Sequence, residues 1–309
     1  MALHHITPLI SSTALTAEIS SPVWLKLESA QPSASFKMRG MGLAAERAVA
    51  RGAKRLVSSS GGNAGYAVAW AGRSLGVPVT VVVPTTTGSR MRELIEATGA
   101  EVRVSGDVWD EAHAAAAELA EASHGALLHP FDDPDIWEGH ASLIEEVAAA
   151  GVMPDTVVVS VGGGGLLCGV LQGMQSAGWS NVPVLAVETE GAASLHAALK
   201  AGEPVTLPAI TSLAVTLGAK RVCDRALELS QEHEVRSVLV SDTAAVQACD
   251  RFLDDHRVLV EPSCGAALSV VYDHHPDLSG TVLVVVCGGA AVTRSQLESW
   301  LAAAPQSDR

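Results

Sequence analysis

The sequence is poor in positive charge. Lysine and arginine together number 20 against 34 acidic residues, a formal net charge of −14 at pH 7. That balance argues against a surface built for nucleic acid or for an anionic membrane, and it suits solubility. Cysteine is scarce and odd in number: Cys168, Cys223, Cys249, Cys264 and Cys287 show no CxxC spacing, so neither a disulfide framework nor a zinc site is indicated. A reduced compartment fits best. Long apolar runs are missing too. The longest, near 156–171 and 281–292, are broken by glycines and fall short of the ~20 residues that span a bilayer. The N-terminus has His4, His5 and Pro8 where a signal peptide needs a basic start and an unbroken apolar stretch, so a cytoplasmic protein is expected. Neither His4-His5 nor His274-His275 has a second ligand pair at metal spacing, and both read as surface residues. No internal repeat, heptad or low-complexity linker interrupts the chain.

What is present is an α/β pattern. The 309 residues suffice for two domains with separate cores, and 48% apolar content with 28 glycines suits buried parallel strand. Strands are predicted at 56–57, 79–83, 101–104, 156–161, 184–188 and 281–286; helices at 44–50, 64–75, 89–98, 109–122 and 138–150. Such alternation implies doubly wound, mostly parallel sheets. Asp132-Asp133-Pro134 reads as a helix start, with Asp133 the cap and Pro134 in the first turn, rather than as a metal site.

Three strings carry chemistry. Lys37 sits in Ser33-Ala34-Ser35-Phe36-Lys37-Met38-Arg39-Gly40. A lysine amine can form a Schiff base with an aldehyde, and burial lowers its pKa into a usable range; alone, such a lysine is more often a surface charge. The second string is Ser58-Ser59-Ser60-Gly61-Gly62-Asn63-Ala64-Gly65, a polar turn opening a helix. The third is Gly162-Gly163-Gly164-Gly165, between the apolar run 157–161 and the helix start Leu166-Leu167-Cys168. Glycines at that density are retained where backbone approaches a ligand closely, and strand, glycine loop and helix form a phosphate cradle. No Gly-Lys-Ser/Thr follows, so it is not a mononucleotide P-loop, and no acidic residue suits a dinucleotide ribose. Together a lysine, a polar turn and a phosphate cradle point to pyridoxal phosphate.

On these strings, and on Phe131-Asp132-Asp133-Pro134, Trp137-Glu138-Gly139-His140, Glu261-Pro262-Ser263-Cys264-Gly265 and Val286-Cys287-Gly288-Gly289, the chain resembles the fold-type II pyridoxal-phosphate enzymes nearly end to end. It is most similar to the catabolic L-serine/L-threonine dehydratases (ammonia-lyases) of the mammalian liver type. The resemblance implies a tryptophan synthase beta-like fold. It implies a small mobile domain at 31–133 and a large cofactor-binding domain from 1–30 and 134–309, with the cofactor in the cleft between them. It also implies a homodimer. Lys37 would carry the cofactor and, once released, remove the substrate's α-proton. Phe36 and Thr216 would cover the two ring faces; the liver enzymes have a smaller alanine at the second position. Asn63 would bond the cofactor's 3′-oxygen, though an asparagine there also suits an N-cap or a left-handed turn. Gly162, Gly163, Gly164, Gly165 and Leu166 would hold the phosphate, which in this family is the proposed acid for the departing β-hydroxyl. Ser60, Gly61, Gly62 and Asn63 would clasp the substrate carboxylate. Cys287 would meet the pyridine nitrogen, and a thiol is a weak donor that leaves the ring a poorer electron sink, so elimination is favoured over transamination.

The resemblance also implies a potassium-type cation, with ligands matching Gly162, Glu188, Ala192, Ser194, Leu217 and Ala219. A surface glutamate or a helix cap is the alternative for Glu188. Serine racemase is the main rival activity. That family carries a serine before the Gly-Asn pair, where this chain has Gly61 and nothing to deliver a proton. Three weaker rivals are a lyase for another β-hydroxy amino acid, a cysteine-forming β-replacement synthase and a catalytically silent ligand-binding protein. Only a short stretch follows Cys287, so isoleucine feedback of the kind in larger threonine deaminases is not expected.

Overall fold

Runs of β-branched residues set the interior. Segments 79–83, 156–160 and 282–286 are buried at every position, as strands covered on both faces must be. The computed structural model describes residues 2–303. It begins with β1 (Leu9–Ser11), α1 (Thr13–Ile19), β2 (Val23–Leu27) and, after a 3-10 turn at Glu28–Ala30, α2 (Lys37–Ala50). Next come β3 (Leu56–Ser58), α3 (Asn63–Leu75), β4 (Val79–Val83), α4 (Ser89–Glu96), β5 (Glu101–Val104), α5 (Trp109–Ala122) and β6 (Ala126–Leu128). Then α6 (Pro134–Ala149), β7 (Thr156–Ser160), α7 (Gly165–Ser176), β8 (Val184–Thr189) and α8 (Ser194–Ala201) lead to α9 (Asp224–Glu232) and β9 (Val235–Val240). The chain closes with α10 (Asp242–His256), α11 (Pro262–Tyr272), β10 (Val282–Val286) and α12 (Arg294–Ala303).

Two sheets result. A four-stranded parallel sheet has the order β5-β4-β3-β6, and its strands all fall within the 31–133 span expected of the small domain. The six-stranded sheet has the order β1-β2-β10-β7-β8-β9 and is parallel apart from the short edge strand β1, which runs antiparallel to β2. The doubly wound α/β expectation holds with that one exception. The strands β1, β2, β6 and β9 went unread in the sequence. β1 and β6 are three residues long, β2 holds Lys26, and β9 is exposed at Arg236 and Leu239 with one buried position. Asp133 does cap α6, accepting from the Asp135 N–H at 2.7 Å with Pro134 at the first position.

Helix α2 starts at Lys37, well before the predicted 44–50. Gly40 and Gly42 depress local helix propensity, but packing requires a glycine at position 40. A Cβ there would lie 2.6 Å from His140 Cε1, and one on Gly139 would lie 2.6 Å from the Arg39 carbonyl oxygen. Facing glycines thus bring α2 and α6 into close contact.

Beneath that crossing lies a buried ion cluster. The fully buried Arg39 guanidinium bonds Glu28 through Nε and Nη2 at 2.7 and 2.8 Å, and Glu146 through Nη1 and Nη2 at 2.7 and 2.8 Å. Lys26 Nζ joins Glu146 and donates to the Thr7 carbonyl at 2.8 Å. Two cations and two anions balance inside the protein. Burial disfavours the charge on Arg39, but the bonds from Glu146 and Glu28 more than offset it and hold its pKa above the ordinary arginine value. Removing one member leaves buried charge without a partner. Arg39→Met is therefore expected to lower the unfolding free energy by about 3–5 kcal/mol in urea titration, and a loss below ~1 kcal/mol would show that the cluster is not stabilising in this way.

Candidate active site

Lys37 is the first residue of α2, whose start meets the C-terminal end of β10 in the large sheet. Its neighbour Phe36 donates its N–H to the Cys287 carbonyl at 3.1 Å, and Ser35 bridges to Gly288, so the start of α2 is pinned to the end of β10. The Lys37 side chain is largely buried, and its Nζ donates to the Pro130 carbonyl at 2.5 Å. Desolvation lowers its pKa to about 8, with Cys287 and Cys223 pulling weakly the other way. An appreciable fraction of this amine is therefore neutral at physiological pH. The Phe36 ring packs on buried His140, centroids 4.9 Å apart. Hydrogen bonding with Cys264 and burial push the Cys287 thiol well above its usual pKa, so it stays protonated.

The glycine loop lies at the C-terminal end of β7. Gly164 takes a left-handed conformation (φ 93°) and caps α7 without a side-chain bond, leaving the first N–H groups of that helix free to meet an anion. No side chain fits here. A Cβ on Gly163 would lie 2.3 Å from the Phe131 ring, and one on Gly165 would lie 2.5 Å from the Phe131 carbonyl, which accepts from Trp137 Nε1 at 2.8 Å. Leu166 is buried in the first turn of α7. His129, one residue before Pro130, accepts the Asp132 N–H at Nδ1 (2.8 Å), and burial followed by His113 and Lys37 lowers its pKa to about 4. It is a neutral neighbour of the lysine.

The polar turn 58–63 follows β3 and brings the small sheet to the same place. Ser60 Oγ accepts from the Gly62 N–H at 3.3 Å, and Ser59 bonds His113 Nδ1 at 2.9 Å. Gly61 is crowded: a Cβ there would lie 2.5 Å from Thr87 Oγ1. Gly62 is the N-cap of α3 and Asn63 its first residue, so Asn63 is neither a cap nor a left-handed turn residue. Its carboxamide crosses the cleft. Nδ2 donates to Glu261 Oε1 at 2.7 Å, and Oδ1 accepts the Ala290 N–H at 3.0 Å. Thr216, itself exposed, turns its hydroxyl to the same Glu261 oxygen at 2.6 Å and bonds Ser263.

Glu261 is the site residue that sequence reasoning missed. Its motif was visible, but its partner Asn63 stands far away in the chain. The carboxyl is buried against Gly289, where a Cβ would lie 2.0 Å from Glu261 Cδ. Burial raises its pKa to about 7 despite the bonds from Thr216 and Asn63. Glu with Pro next, at the start of an apolar helix, was the available signal.

The residues expected to hold a cation lie on adjoining segments. Gly162 abuts Leu217, whose Cα would lie 3.0 Å from a Cβ at 162; the Ala219 N–H donates to the Leu217 carbonyl at 2.7 Å, and the Val161 N–H to the Val187 carbonyl beside Glu188 at 2.8 Å. Glu188 is fully buried, which removes the surface-glutamate alternative. Its two oxygens accept the N–H groups of Leu195 and His196 at 2.8 and 2.7 Å, so it caps α8, and burial raises its pKa to about 7. Ala192 and Ser194 are buried beside it, and Ser194 Oγ has no partner. Among the described residues no cluster of three or more His, Cys, Asp or Glu side chains could bind a metal ion. A carbonyl-rich site with one carboxylate is of a different kind.

The assembled groups fit pyridoxal phosphate: a desolvated amine for an aldehyde, free N–H groups for a phosphate, and a cross-linked carboxamide for a phenolic oxygen. Comparison with known proteins agrees. A family profile described as "Pyridoxal-phosphate dependent enzyme" matches residues 2–288. The human protein named "L-serine dehydratase/L-threonine deaminase" is 48% identical over 96% of this chain and 94% of its own length. A mouse protein named "Serine dehydratase-like" is likewise 48% identical, over 96% of this chain and 93% of its own. A solved structure of a fungal L-serine ammonia-lyase from Rhizomucor miehei superposes with a TM-score of 0.92 at 38% identity, covering 97% of this chain and 98% of the other. A maize serine racemase superposes with a TM-score of 0.89 at 26% identity, over 97% and 92%. The desolvated lysine, the glycine cradle and these matches agree, and the chain belongs to the family of pyridoxal-phosphate dependent enzymes.

Proposed function

We propose that this chain is a pyridoxal-phosphate dependent ammonia-lyase that converts L-serine to pyruvate, and L-threonine to 2-oxobutanoate, with release of ammonia. The observation that carries the reading is the Lys37 amine, desolvated to a pKa of about 8 and tethered to the Pro130 carbonyl between the glycine loop and Cys287. Relatives named for the same activity support it. When bound, pyridoxal phosphate supplies an electron-withdrawing ring linked to the substrate amine, which acidifies the substrate's α-carbon. The neutral Nζ of Lys37 accepts the α-proton. The N–H groups at 61–63, at the start of α3, would take the substrate carboxylate with the helix dipole behind them, Gly62 exchanging its present bond to Ser60 Oγ. Glu261 and the Ala290 N–H fix the Asn63 carboxamide. Cys287, held as a thiol, would meet the ring nitrogen as a weak donor and would leave the bound ring a poorer electron sink, which would favour loss of the β-hydroxyl over reactions that need long-lived charge at the α-carbon. Elimination releases one water and hydrolysis of the enamine takes one up, so the amino acid divides into 2-oxo acid and ammonia.

Racemisation needs an acid on the opposite face. Gly61 offers none, and Thr87 leaves no room for a side chain there. The five free, buried cysteines are in keeping with the reduced, cytoplasmic setting that belongs to this reading, and the resemblance supports a homodimer. The buried, unpartnered Ser194 hydroxyl beside Glu188 supports a potassium-type cation below the glycine loop.

Incubated with L-serine and with L-threonine, the purified chain is expected to show a near-visible band of bound cofactor and to form ammonia and 2-oxo acid, with the residual serine remaining L. Lys37→Ala should lose the band and ~10³-fold or more of the rate; retention of near wild-type rate would end the scheme, and rapid D-serine would reassign it to a racemase. Glu261 yields a pH test. An acid whose folded pKa is raised from 4.5 to about 7 contributes stability that is present below pH 4.5 and lost as pH rises through 7. The melting temperature of the wild type should therefore fall more than that of Glu261→Gln between pH 5 and pH 8, and parallel curves would refute the assignment. Replacing potassium by a large organic cation such as tetramethylammonium should lower activity, and indifference to the exchange would remove the cation.

A further inference from the structure

Two cysteines outside the catalytic scheme lie directly under the glycine loop. The sulfurs of Cys168 and Cys223 are 3.8 Å apart, and both residues are buried, with 0% and 2% exposure. Cys168 lies in the first turn of α7, and Cys223 is the N-cap of α9. The Cys223 N–H donates to the Gly163 carbonyl at 3.0 Å, and a Cβ on Gly164 would lie 3.2 Å from Cys223 Sγ. Sulfur at this position therefore touches the backbone that forms the cradle.

The pair is chemically asymmetric. The Cys168 thiol bonding to Cys223, helped by the Ala226 N–H at the start of α9, lowers the Cys223 pKa despite burial, and the same bond pushes Cys168 up. One sulfur is thus favoured as thiolate and its neighbour as thiol, the division of labour of an attacking and a resolving cysteine. Cys249 and Cys287 are instead held as thiols, by burial and by the Cys264 contact respectively, and are the less reactive sulfurs. Cys223 ends the segment 202–223, which holds only one 3-10 turn at Val215–Leu217 and no strand or α-helix. Reaching the buried pair requires local opening of this segment, and a peroxide-sized reagent needs less of it than a bulky disulfide.

We infer that Cys168 and Cys223 form a reversible redox-modification site that closes to a disulfide under hydrogen peroxide and weakens the glycine loop's hold on the cofactor phosphate. The effect on the cofactor rests on the function proposed above. The Cys223 thiolate attacks one peroxide oxygen, the O–O bond breaks, and hydroxide leaves to take up the proton that Cys223 had released. The Cys168 sulfur then displaces the hydroxyl of the resulting sulfenic acid: the S–S bond forms, the S–O bond breaks, and the Cys168 proton leaves with that hydroxyl as water. Two thiols lose two electrons and two protons, and one peroxide becomes two waters. A bonded pair is about 2.05 Å apart, so the sulfurs must close by about 1.8 Å. The tie between the Cys223 N–H and the Gly163 carbonyl transmits that movement to the loop, and the N–H groups lose their alignment on the phosphate. A thiol reductant reverses the change by exchange.

The test treats the full-length, cofactor-loaded chain with hydrogen peroxide, blocks remaining thiols by alkylation, and maps peptides without reduction. A linked peptide pair containing Cys168 and Cys223 is expected, absent after dithiothreitol and absent in Cys168→Ala and in Cys223→Ser. The linked protein should bind pyridoxal phosphate at least ~10-fold more weakly in a spectrophotometric titration and recover on reduction, whereas both variants should keep their affinity through peroxide treatment. Absence of the link, or a link with unchanged affinity, would overturn the inference. A reduced chain that binds no pyridoxal phosphate would instead refute the proposed function and remove the regulatory role with it, while the peptide map would still report the bond.

Discussion

The position of the reactive amine depends on a buried guanidinium two residues further along the chain. Helix α2 has no side-chain cap at its start, since Phe36 is helical and makes no capping bond. The first turn is held by backbone alone, from the Phe36 N–H to the Cys287 carbonyl and from Met38 back to Ser35, and the side-chain anchorage of Lys37 comes from below. Arg39 reaches Glu28 just after β2 and Glu146 on α6, and thereby ties α2 to both the large sheet and the helix that leads from the small one. The close approach at Gly40 and Gly139 supplies the other half of the constraint. A charged pair in a low-dielectric interior is stable only if every member is matched, and this makes the geometry discrete: the helix start is correct or the cluster is broken.

Electrostatics above that foundation follow one pattern, in which burial shifts titratable side chains toward their neutral forms. Burial first, then neighbouring charges, lower His129 and push His140 well below the ordinary histidine value. Cys287 is held as a thiol. Glu261 and Glu188 carry raised pKa values, yet each carboxyl is met by donors, two side chains for the first and two backbone amides for the second. The glycine loop is itself uncharged, so an anion there would be met by oriented N–H groups and the start of α7 rather than by side-chain cations. Such dipoles are fixed by the fold and need no reorganisation when charge moves during a reaction.

Chemistry encoded in contiguous strings was legible in the sequence. Lys37, the turn 58–63 and the four glycines each stand beside the residues that explain them. The central strands were legible for a similar reason, because continuous β-branched runs report burial on both faces. What depended on distant partners was not. Glu261 acts on Asn63, 198 positions away, and no local pattern reveals that the asparagine looks across a cleft instead of capping its own helix. The true start of α2 was hidden by Gly40 and Gly42, which read as helix-weakening until Ile136 and His140 are seen against the first of them. Edge strand β1 was hidden by its length.

The choice between elimination and racemisation is likewise made by packing. A fold that presents one lysine to an acidified α-carbon can return the proton to the side it came from or lose a β-substituent; inversion requires a second proton donor across the ring. The resemblance to serine racemases puts such a donor at position 61. Its closure does not rest on the glycine alone, because Thr87 occupies the space into which a Cβ would project, at 2.5 Å from Oγ1 and 2.6 Å from Cγ2. A donor at that position would require Thr87 to move as well as Gly61 to change. Thr216 reinforces the arrangement from the other direction. Its hydroxyl is engaged by Glu261 and Ser263, which adds a bond to the carboxyl that holds Asn63 and takes that hydroxyl out of service as a proton donor. With no side chain at position 61 and the hydroxyl at 216 engaged, the packing supports the proposed departure of the β-hydroxyl over inversion.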